Sequence, residues 1–366
     1  MTPERADNQR NVRPAGGRTP GSKQPVTPPS GAAEPALAGL SRSGHALLLQ
    51  RIRESLQTAF RDGAHQVSFQ AMGTRCQISF AAPLSQAPHL IGMVVEWVAA
   101  FEAKYSRFIP DSLIGRINAA AGRESVAIDP ETEQIFALCD QMHFITGGVF
   151  DPSALPLIQV WNWKSGVVPS GEAVAAAKRM VGWRKVQRTP GRVFLPEPGM
   201  GIDLGGMGKE YAVDRVAQML GGAGITGALV DFGADVRVVG TPPDGRPAWH
   251  IGLDDPREPG RCWCGLGVRE GAVATSGDYI RRFEIQGRRY GHILDIRTGY
   301  PVDNSCYAVS VLAPSCTLAG MLSTALFVLG AEAGMRLLDA QFGAAGAMVT
   351  DHGILPSRRF YEHVVS

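Results

Sequence analysis

The stretch GIDLGGMGKEYAVD (residues 201–214) joins an apolar, strand-like segment to a helix-like one through four glycines and a lysine. Glycine lets backbone N–H groups approach a bound anion, and the N-terminus of the following helix adds partial positive charge. The stretch therefore predicts a strand-to-helix junction that binds a phosphate group. A tight turn without a ligand is the alternative that these residues leave open.

Two standard phosphate motifs do not fit this junction. A P-loop requires a glycine five residues before Gly208 and a hydroxyl residue after Lys209, but Asp203 and Glu210 occupy these positions. A dinucleotide-binding GxGxxG motif that starts at Gly199 fails because its last position is not glycine. The kind of phosphate has to be inferred from the rest of the chain.

The 366 residues divide into three predicted parts. Residues 1–43 are rich in proline, glycine, serine and charge and predict a disordered tail. Residues 44–64 predict an amphipathic helix and linker, which ends at Gly63 and has apolar residues at four-residue spacing: Leu48, Ile52, Leu56 and Phe60. Residues 65–366 form the predicted folded domain.

Helices and strands alternate in the folded domain without a regular βαβ period, so we predict an α+β fold of mixed helices and mostly antiparallel strands. Strand signals fall in residues 67–80, 228–233 and 236–240, and a hairpin with Gly287 near its turn in residues 281–296. Helix signals fall in residues 90–105, 170–182, a segment starting at Asp129-Pro130, and a segment from Thr317 to Leu329 that ends at Gly330.

The bulk composition excludes several classes of protein. The net charge is +2 and the basic residues are scattered, which argues against nucleic-acid binding. The six cysteines lack zinc-ligand spacing. The sequence contains neither an apolar run of 18 residues nor an N-terminal basic region followed by an apolar one, so it predicts no transmembrane segment and, as written, a cytoplasmic protein.

The segment IDLGGMGKEYAVDRVAQML (residues 202–220) resembles the signature IDLGG-x-AKGYAVD of the FAD:protein FMN transferase (ApbE) family. Five further blocks resemble that family in the same order: FQAMGT, YSRFIPDSLIGRIN, GGVFDPSALPLIQVW, SGDYIRRFEIQGRRYGHILDIRTGYPV and LSTALFVLG. Together the blocks span roughly residues 67–330. The resemblance implies an ApbE-like body for residues 65–366.

The resemblance also implies a reaction and two cofactors. A family member binds FAD, cleaves its pyrophosphate with the help of Mg²⁺, and transfers FMN to a threonine or serine hydroxyl of a partner flavoprotein while AMP leaves. Attack on phosphorus builds negative charge that backbone donors, a cation and a metal neutralise. Family members are commonly exported, which makes a periplasmic location the alternative to a cytoplasmic one.

The resemblance assigns roles to residues of this sequence. It places FAD contacts at Met72, Phe108, Asp151, Ser153, Asp203, Gly205, Lys209 and Ile293, metal contacts at Gly206 and Thr324, and catalytic roles at His292 and Lys209. Each of several residues has a plainer interpretation: Met72 as core filler, Asp151 as a turn cap, Lys209 as a solvated lysine at a helix start, and His292 as a packed strand residue.

Two departures from the family pattern put the metal site in question. The family's ADALSTA carries an aspartate four residues before a threonine, so both oxygens lie on one helix face. In this chain the stretch is AGMLSTA, with Gly320 in place of the aspartate and Thr324 retained. Asp231 stands where the family usually has asparagine, and it either adds negative charge near the pyrophosphate or replaces the missing ligand.

Three functional hypotheses follow. The first is a magnesium-dependent FAD:protein FMN transferase. The second, prompted by Gly320, is a flavin-binding accessory protein that matures a redox complex without catalysis. The third is an FAD pyrophosphatase, which would use water as the acceptor and release AMP and FMN without a partner.

Overall fold

A nine-stranded sheet forms the centre of the molecule. The computed structural model describes residues 41–162, 166–258, 260–278, 282–285 and 288–365. Neighbouring strands of the sheet are antiparallel throughout. In spatial order the strands are β1 (Gln57–Arg61), β2 (Ala64–Ala71), β3 (Thr74–Phe80), β7 (Gly227–Phe232), β8 (Val236–Gly240), β11 (Gly271–Gly277), β16 (Cys306–Ala313), β17 (Ala345–Thr350) and β18 (Gly353–Pro356).

Four smaller sheets, eight α-helices and two short 3₁₀ helices (Trp183–Lys185 and Phe360–Glu362) complete the described part of the chain. The small sheets pair β4 (Val126–Ala127), β6 (Arg192–Phe194) and β5 (Gln187–Thr189); β19 (Val364–Val365), β10 (Cys262–Val268) and β9 (Trp249–Asp254); β12 (Arg282–Ile285) and β13 (Arg288–Gly291); and β14 (Leu294–Asp295) and β15 (Tyr300–Pro301). The helices are α1 (Arg42–Ser55), α2 (Ala87–Tyr105), α3 (Leu113–Ala119), α4 (Pro130–Ile145), α5 (Leu155–Val160), α6 (Gly171–Arg179), α7 (Gly208–Gly222) and α8 (Cys316–Asp339).

The central sheet is buried on both faces where β11 and β16 lie. Val309 and Val311 pack into the main core with residues of α2, α7 and α8. Leu312 and Val273 point to the opposite face and pack with Trp249 and other residues of β9 and β10. Side chains alternate between faces along a strand, so a strand covered on both faces needs apolar residues at nearly every position. The observed α+β architecture with antiparallel strands confirms the predicted fold class.

The first helix ends earlier than its apolar spacing predicts. α1 stops at Ser55, and residues 57–61 form β1, whose Gln57 pairs with Ser68 of β2. The Ser55 hydroxyl donates to the Arg51 carbonyl and accepts from the backbone N–H of Gln70, which ties the end of the helix to the sheet. The prediction that one helix runs to Gly63 is therefore wrong, because tertiary pairing overrides the local spacing. The predicted tail, apart from its last residues, lies outside the described residues.

The last long helix contains a break where the sequence predicts an end. Gly330 has φ 76° and ψ −176°, and helical residues continue beyond it to Asp339. The Asn304 amide donates to the Phe327 carbonyl at 2.9 Å, which gives a partner to a carbonyl near the break. By length and composition alone α8 meets the criterion for a membrane span, as core helices also do, and most of its apolar window is buried. The predicted hairpin turn at Gly287 lies outside the described residues.

Candidate active site

One carboxylate fixes the register between α7 and α8. Asp214, near the middle of α7, accepts hydrogen bonds from the backbone N–H groups of Cys316 and Thr317, each at 2.8 Å, and from the Thr317 hydroxyl at 2.7 Å. Arg237 Nη1 also donates to Asp214 at 2.8 Å. The first N–H groups of a helix have no partner within the helix, so Asp214 satisfies the start of α8 from outside. The contact locks the two helices together.

One turn away from that contact, Glu210 lies against Gly320. A Cβ atom built on Gly320 would be 3.0 Å from Glu210 Cδ and only 2.5 Å from its Cγ, and the second distance is shorter than real Cβ contacts. Glu210 is 8% exposed. Its Oε1 lies 3.6 Å from Lys209 Nζ, and its Oε2 is buried with no hydrogen-bond partner among the described residues. The Glu210 side chain thus fills the space that a side chain at position 320 would need.

Lys209 forms an ion pair with Asp235, which is 5% exposed and lies in the turn between β7 and β8. Asp231 closes the same turn by accepting the Ala234 N–H at 2.8 Å. Burial raises the pKa of Asp231, while the Ala234 hydrogen bond and the charge of Lys209 oppose the rise. The cation predicted from sequence is therefore held between acidic groups at the start of α7, rather than projecting freely into solvent.

The tip of the β2–β3 hairpin lies beside that turn. Met72 and Gly73 have φ 51° and 71°, the backbone of a type I′ turn, and the Met72 N–H donates to Glu102 Oε2 at 2.8 Å. Burial raises the pKa of Glu102. A Cβ on Gly233 would lie 2.3 Å from Thr74 Oγ1, so the hairpin tip packs directly on the β7–β8 turn. This packing brings Met72 to the side of the sheet that carries Lys209.

Asp203 joins the glycine-rich turn to a loop that follows α2. Asp203 Oδ2 pairs with Arg107 Nε at 2.9 Å, and its Oδ1 accepts the Gly205 N–H at 2.8 Å. The Arg107 guanidinium lies 4.2 Å from the centroid of the Phe108 ring, which is 77% exposed. Sequence reasoning missed Arg107, because its partner is far away in the chain and a lone arginine carries no pattern.

The segment before the glycine-rich turn is not a strand. Residues 201–204 carry no secondary structure. The Asn118 side chain takes the place of a strand partner, since its amide donates to the Ile202 carbonyl at 2.9 Å and its Oδ1 accepts the Ile202 N–H at 2.6 Å. The predicted strand is wrong, whereas the predicted helix start is confirmed, because α7 begins at Gly208. A Cβ on Gly206 would lie 3.4 Å from Phe150 Cε2, so the turn packs on the loop before α5.

Asp151 and Ser153 bind groups inside the protein. Asp151 Oδ1 accepts from the Ser153 N–H and hydroxyl at 2.8 and 2.5 Å, and its Oδ2 accepts from the Trp183 N–H at 3.0 Å. The Ser153 hydroxyl also accepts the Gly182 N–H at 2.8 Å. These bonds fix the loop whose Pro152 carbonyl accepts the Asp203 N–H. FAD contact by the two side chains stays a prediction; the observed contacts favour a positioning role.

Thr324 lies in the first half of α8, and Ile293 lies just before β14. Thr324 Oγ1 is 3.0 Å from Ser276 Oγ, at the end of β11. Ile293 packs against a small cluster that includes Val149 and Ala325, next to Thr324 in the chain. His292 precedes Ile293 between β13 and β14 and is partly buried. The structure thus brings Ile293 close to the threonine, and the role of His292 stays a prediction.

The donor groups suit a cation that phosphates help to bind. No group of three or more histidine, cysteine, aspartate or glutamate side chains that could hold a metal occurs in the described ranges. Magnesium commonly takes one or two protein carboxylates and completes its shell with waters and substrate phosphates. The unpartnered Glu210 Oε2, the Thr324 hydroxyl and the Gly206 carbonyl are oxygen donors of this kind. The residues present therefore fit a magnesium ion shared with a phosphate ligand.

Comparison with known proteins gives a consistent answer. The ApbE family model matches residues 72–349. A curated FAD:protein FMN transferase of Treponema pallidum is 32% identical over 73% of this chain and 79% of its own, and one of Vibrio cholerae is 32% identical over 68% and 76%. The crystal structure of the Thermotoga maritima ApbE protein superposes with a TM-score of 0.76 at 31% identity, covering 83% of this chain and all of that one. The chain belongs to the ApbE family.

Proposed function

We propose that this protein is a magnesium-dependent FAD:protein FMN transferase, which moves FMN from FAD to a threonine or serine hydroxyl of a partner flavoprotein and releases AMP. The observation that carries the proposal is membership of a family whose curated relatives are FAD:protein FMN transferases. The glycine-rich turn at the start of α7, with Lys209 and an unpartnered glutamate oxygen beside it, supports a site for a phosphate ligand and a cation.

The proposed reaction replaces a phosphoanhydride bond of FAD with a phosphoester bond to the acceptor. The acceptor hydroxyl oxygen bonds to the FMN phosphorus, the bond from that phosphorus to the AMP phosphate breaks, and AMP leaves with the electron pair. The hydroxyl proton passes to a base, for which we propose His292. Lys209, held in place by Asp235, stabilises the negative charge that develops on the phosphate oxygens.

The remaining predicted residues bind the donor. In the proposal Met72, Phe108 and Ile293 contact the flavin nucleotide, and Asp203 and Gly205 hold the turn beside its pyrophosphate. The Thr324 hydroxyl and the Gly206 carbonyl would hold magnesium, which when bound would neutralise charge on the phosphate oxygens.

The test combines purified protein, FAD, Mg²⁺ and an acceptor flavoprotein, with covalent FMN on the acceptor measured by mass spectrometry and AMP by chromatography. We expect one FMN per acceptor and an equal amount of AMP, and neither when the acceptor threonine is replaced by alanine. A family enzyme that labels the same acceptor while this protein does not would contradict the proposal. Release of AMP and free FMN without acceptor would instead identify a pyrophosphatase.

The accessory-protein hypothesis rests on the missing aspartate at Gly320. Because the Glu210 side chain lies over that glycine, the structure keeps a carboxylate in this region and weakens the argument for a non-catalytic protein. FAD binding without transfer, in the same experiment, is the result that would favour it. The cytoplasmic location predicted from the sequence stays a prediction.

A further inference from the structure

We propose that Glu210, on α7, is the carboxylate ligand of the catalytic cation in this protein and replaces the aspartate that α8 lacks at Gly320. The inference rests on the proposed function only in assuming that a divalent cation binds with FAD. It concerns which helix supplies the charged ligand.

The first argument is steric. The Glu210 Cγ and Cδ atoms lie 2.5 and 3.0 Å from the point where a Cβ of residue 320 would be. An aspartate at position 320 would therefore place its carboxylate in the space where the Glu210 carboxylate lies. In this protein the Glu210 side chain occupies that region, and a side chain at position 320 would have to displace it.

The second argument is electrostatic. Burying a carboxylate oxygen without a partner is unfavourable, so such atoms are uncommon unless a ligand completes them. Glu210 is 8% exposed, and its Oε2 has no hydrogen-bond partner in the ranges that the structure describes. The nearby cation, Lys209, forms its closer ion pair with Asp235 and lies 3.6 Å from the other glutamate oxygen. A divalent cation would give Oε2 the partner that it lacks.

The third argument comes from the helix register. Asp214 of α7 contacts the backbone of Cys316 in α8. Four residues earlier in α7 is Glu210, four residues later in α8 is Gly320, and these two residues are also in contact. A helical turn advances the chain by about 5.4 Å. If the same register continues for one more turn, Thr324 is the next α8 residue to face the turn that precedes α7.

The test measures metal binding directly, by electron paramagnetic resonance of Mn²⁺ titrated into the full-length protein with and without FAD. We expect Glu210→Gln to weaken Mn²⁺ binding in the presence of FAD at least 10-fold. The matched control is Glu332→Gln, because Glu332 lies on the exposed face of α8 with a side chain 88% accessible, and we expect no change there. Thermal unfolding checks that each variant is folded.

A reversal experiment tests the exchange itself. Glu210→Gly should lose Mn²⁺ affinity, and Glu210→Gly combined with Gly320→Asp should regain it to within a few-fold of the unaltered protein. Gly320→Asp alone should displace the Glu210 carboxylate, because its side chain meets Glu210, and we expect at most a modest change in Tm. The double variant keeps the test valid if Glu210→Gln does not fold.

The results separate this inference from the proposed function. Unchanged Mn²⁺ affinity in Glu210→Gln, no gain in the double variant over Glu210→Gly, or no Mn²⁺ binding by the unaltered protein with FAD would each overturn the assignment of Glu210. Mn²⁺ binding that depends on Glu210 in a protein that transfers no FMN would support the assignment and contradict the transferase.

Discussion

Met72 has a backbone conformation that few residues other than glycine adopt. With φ 51°, followed by Gly73 at 71°, it occupies the first position of a turn that favours Asn-Gly. A left-handed backbone costs a residue with a Cβ about 1 kcal/mol. Strain of this kind is often retained at functional sites, where the side chain has a role.

The first prediction separates stability from binding at this position. We expect Met72→Asn to keep or raise Tm, because asparagine adopts the left-handed region more readily. We also expect it to weaken FAD binding, because it removes the thioether contact that we propose with the flavin nucleotide. Flavin fluorescence titration and thermal unfolding measure the two effects. An unchanged FAD affinity would show that Met72 serves only the turn.

The second prediction concerns the buried carboxylate of Asp231. Burial raises its pKa, so the folded state holds its proton to a higher pH than the unfolded state does. Ionisation therefore costs stability as pH rises through the interval between the unfolded pKa and the raised folded one. Asparagine can still accept the Ala234 N–H. We expect Asp231→Asn to be more stable than the unaltered protein at pH 7, with the difference shrinking below pH 4 in urea unfolding.

A pH-independent difference, or a loss of stability at pH 7, would contradict this assignment of Asp231. The structure answers part of the question that the sequence left open about this residue. Asp231 closes the β7–β8 turn, whereas the carboxylate that lies over Gly320 belongs to Glu210.

At the scale of single elements, the break in α8 depends on glycine. Gly330 has φ 76°, in a region that disfavours residues with a Cβ. As the third prediction, we expect Gly330→Ala to lower the free energy of unfolding by about 1–3 kcal/mol. Gly221→Ala is the matched control. It lies in α7 with nothing within 4 Å of an added Cβ, so alanine should be neutral or stabilise by up to about 1 kcal/mol.

If urea unfolding gives the same change in the free energy of unfolding for Gly330→Ala and Gly221→Ala, the α8 backbone can straighten into a continuous helix without loss of stability. A loss confined to Gly330→Ala would instead show that the break is part of the native structure. The Asn304 amide donates to the Phe327 carbonyl beside the break in α8. A substitution that removes the break should therefore also weaken this hydrogen bond.

Local signals predict elements well where burial and local pattern agree. The start of α4 is one example: Asp129 accepts the Thr132 N–H at 3.0 Å and Pro130 occupies the first turn, as the sequence indicates. The end of α1 is a counterexample, since the same four-residue spacing continues into β1. Pairing with β2 decides that boundary, and no local pattern encodes it.

The site was predictable only in part, for a related reason. The glycine-rich turn, Lys209 and Thr324 stand within quotable motifs. Arg107 and Glu210 also lie within quoted blocks, but nothing in those blocks marks them, because their partners, Asp203 and Gly320, are close in space and distant in sequence. Pairwise contact between segments is the information that a single sequence lacks.

At the scale of the whole molecule, a buried ion pair connects α2 to the start of α4. Lys104 Nζ lies 2.5 Å from Asp129 Oδ2 and 2.9 Å from Glu131 Oε2, and Lys104 and Asp129 are 6% and 7% exposed. Burial alone would raise the pKa of Asp129, but hydrogen bonds from Lys104 and Thr132 outweigh it and lower the pKa. The pair therefore contributes stability that depends on pH.

The fourth prediction follows from the lowered pKa of Asp129. A lowered pKa stabilises the fold above the unfolded pKa, and the contribution is lost as pH falls through the folded one. We expect Asp129→Asn to cost about 3 kcal/mol at pH 7, because Lys104 loses its closest partner, and to reduce the acid sensitivity of unfolding below pH 4. Urea unfolding between pH 3 and 7 measures both, and identical pH profiles would contradict the assignment.

The contact between Glu210 and Gly320 couples two positions that are distant in the chain. A side chain added at position 320 has to displace the Glu210 side chain, because its Cβ would lie 2.5 Å from Glu210 Cγ. In a double-mutant cycle, the effects of substitutions at the two positions should therefore not be additive.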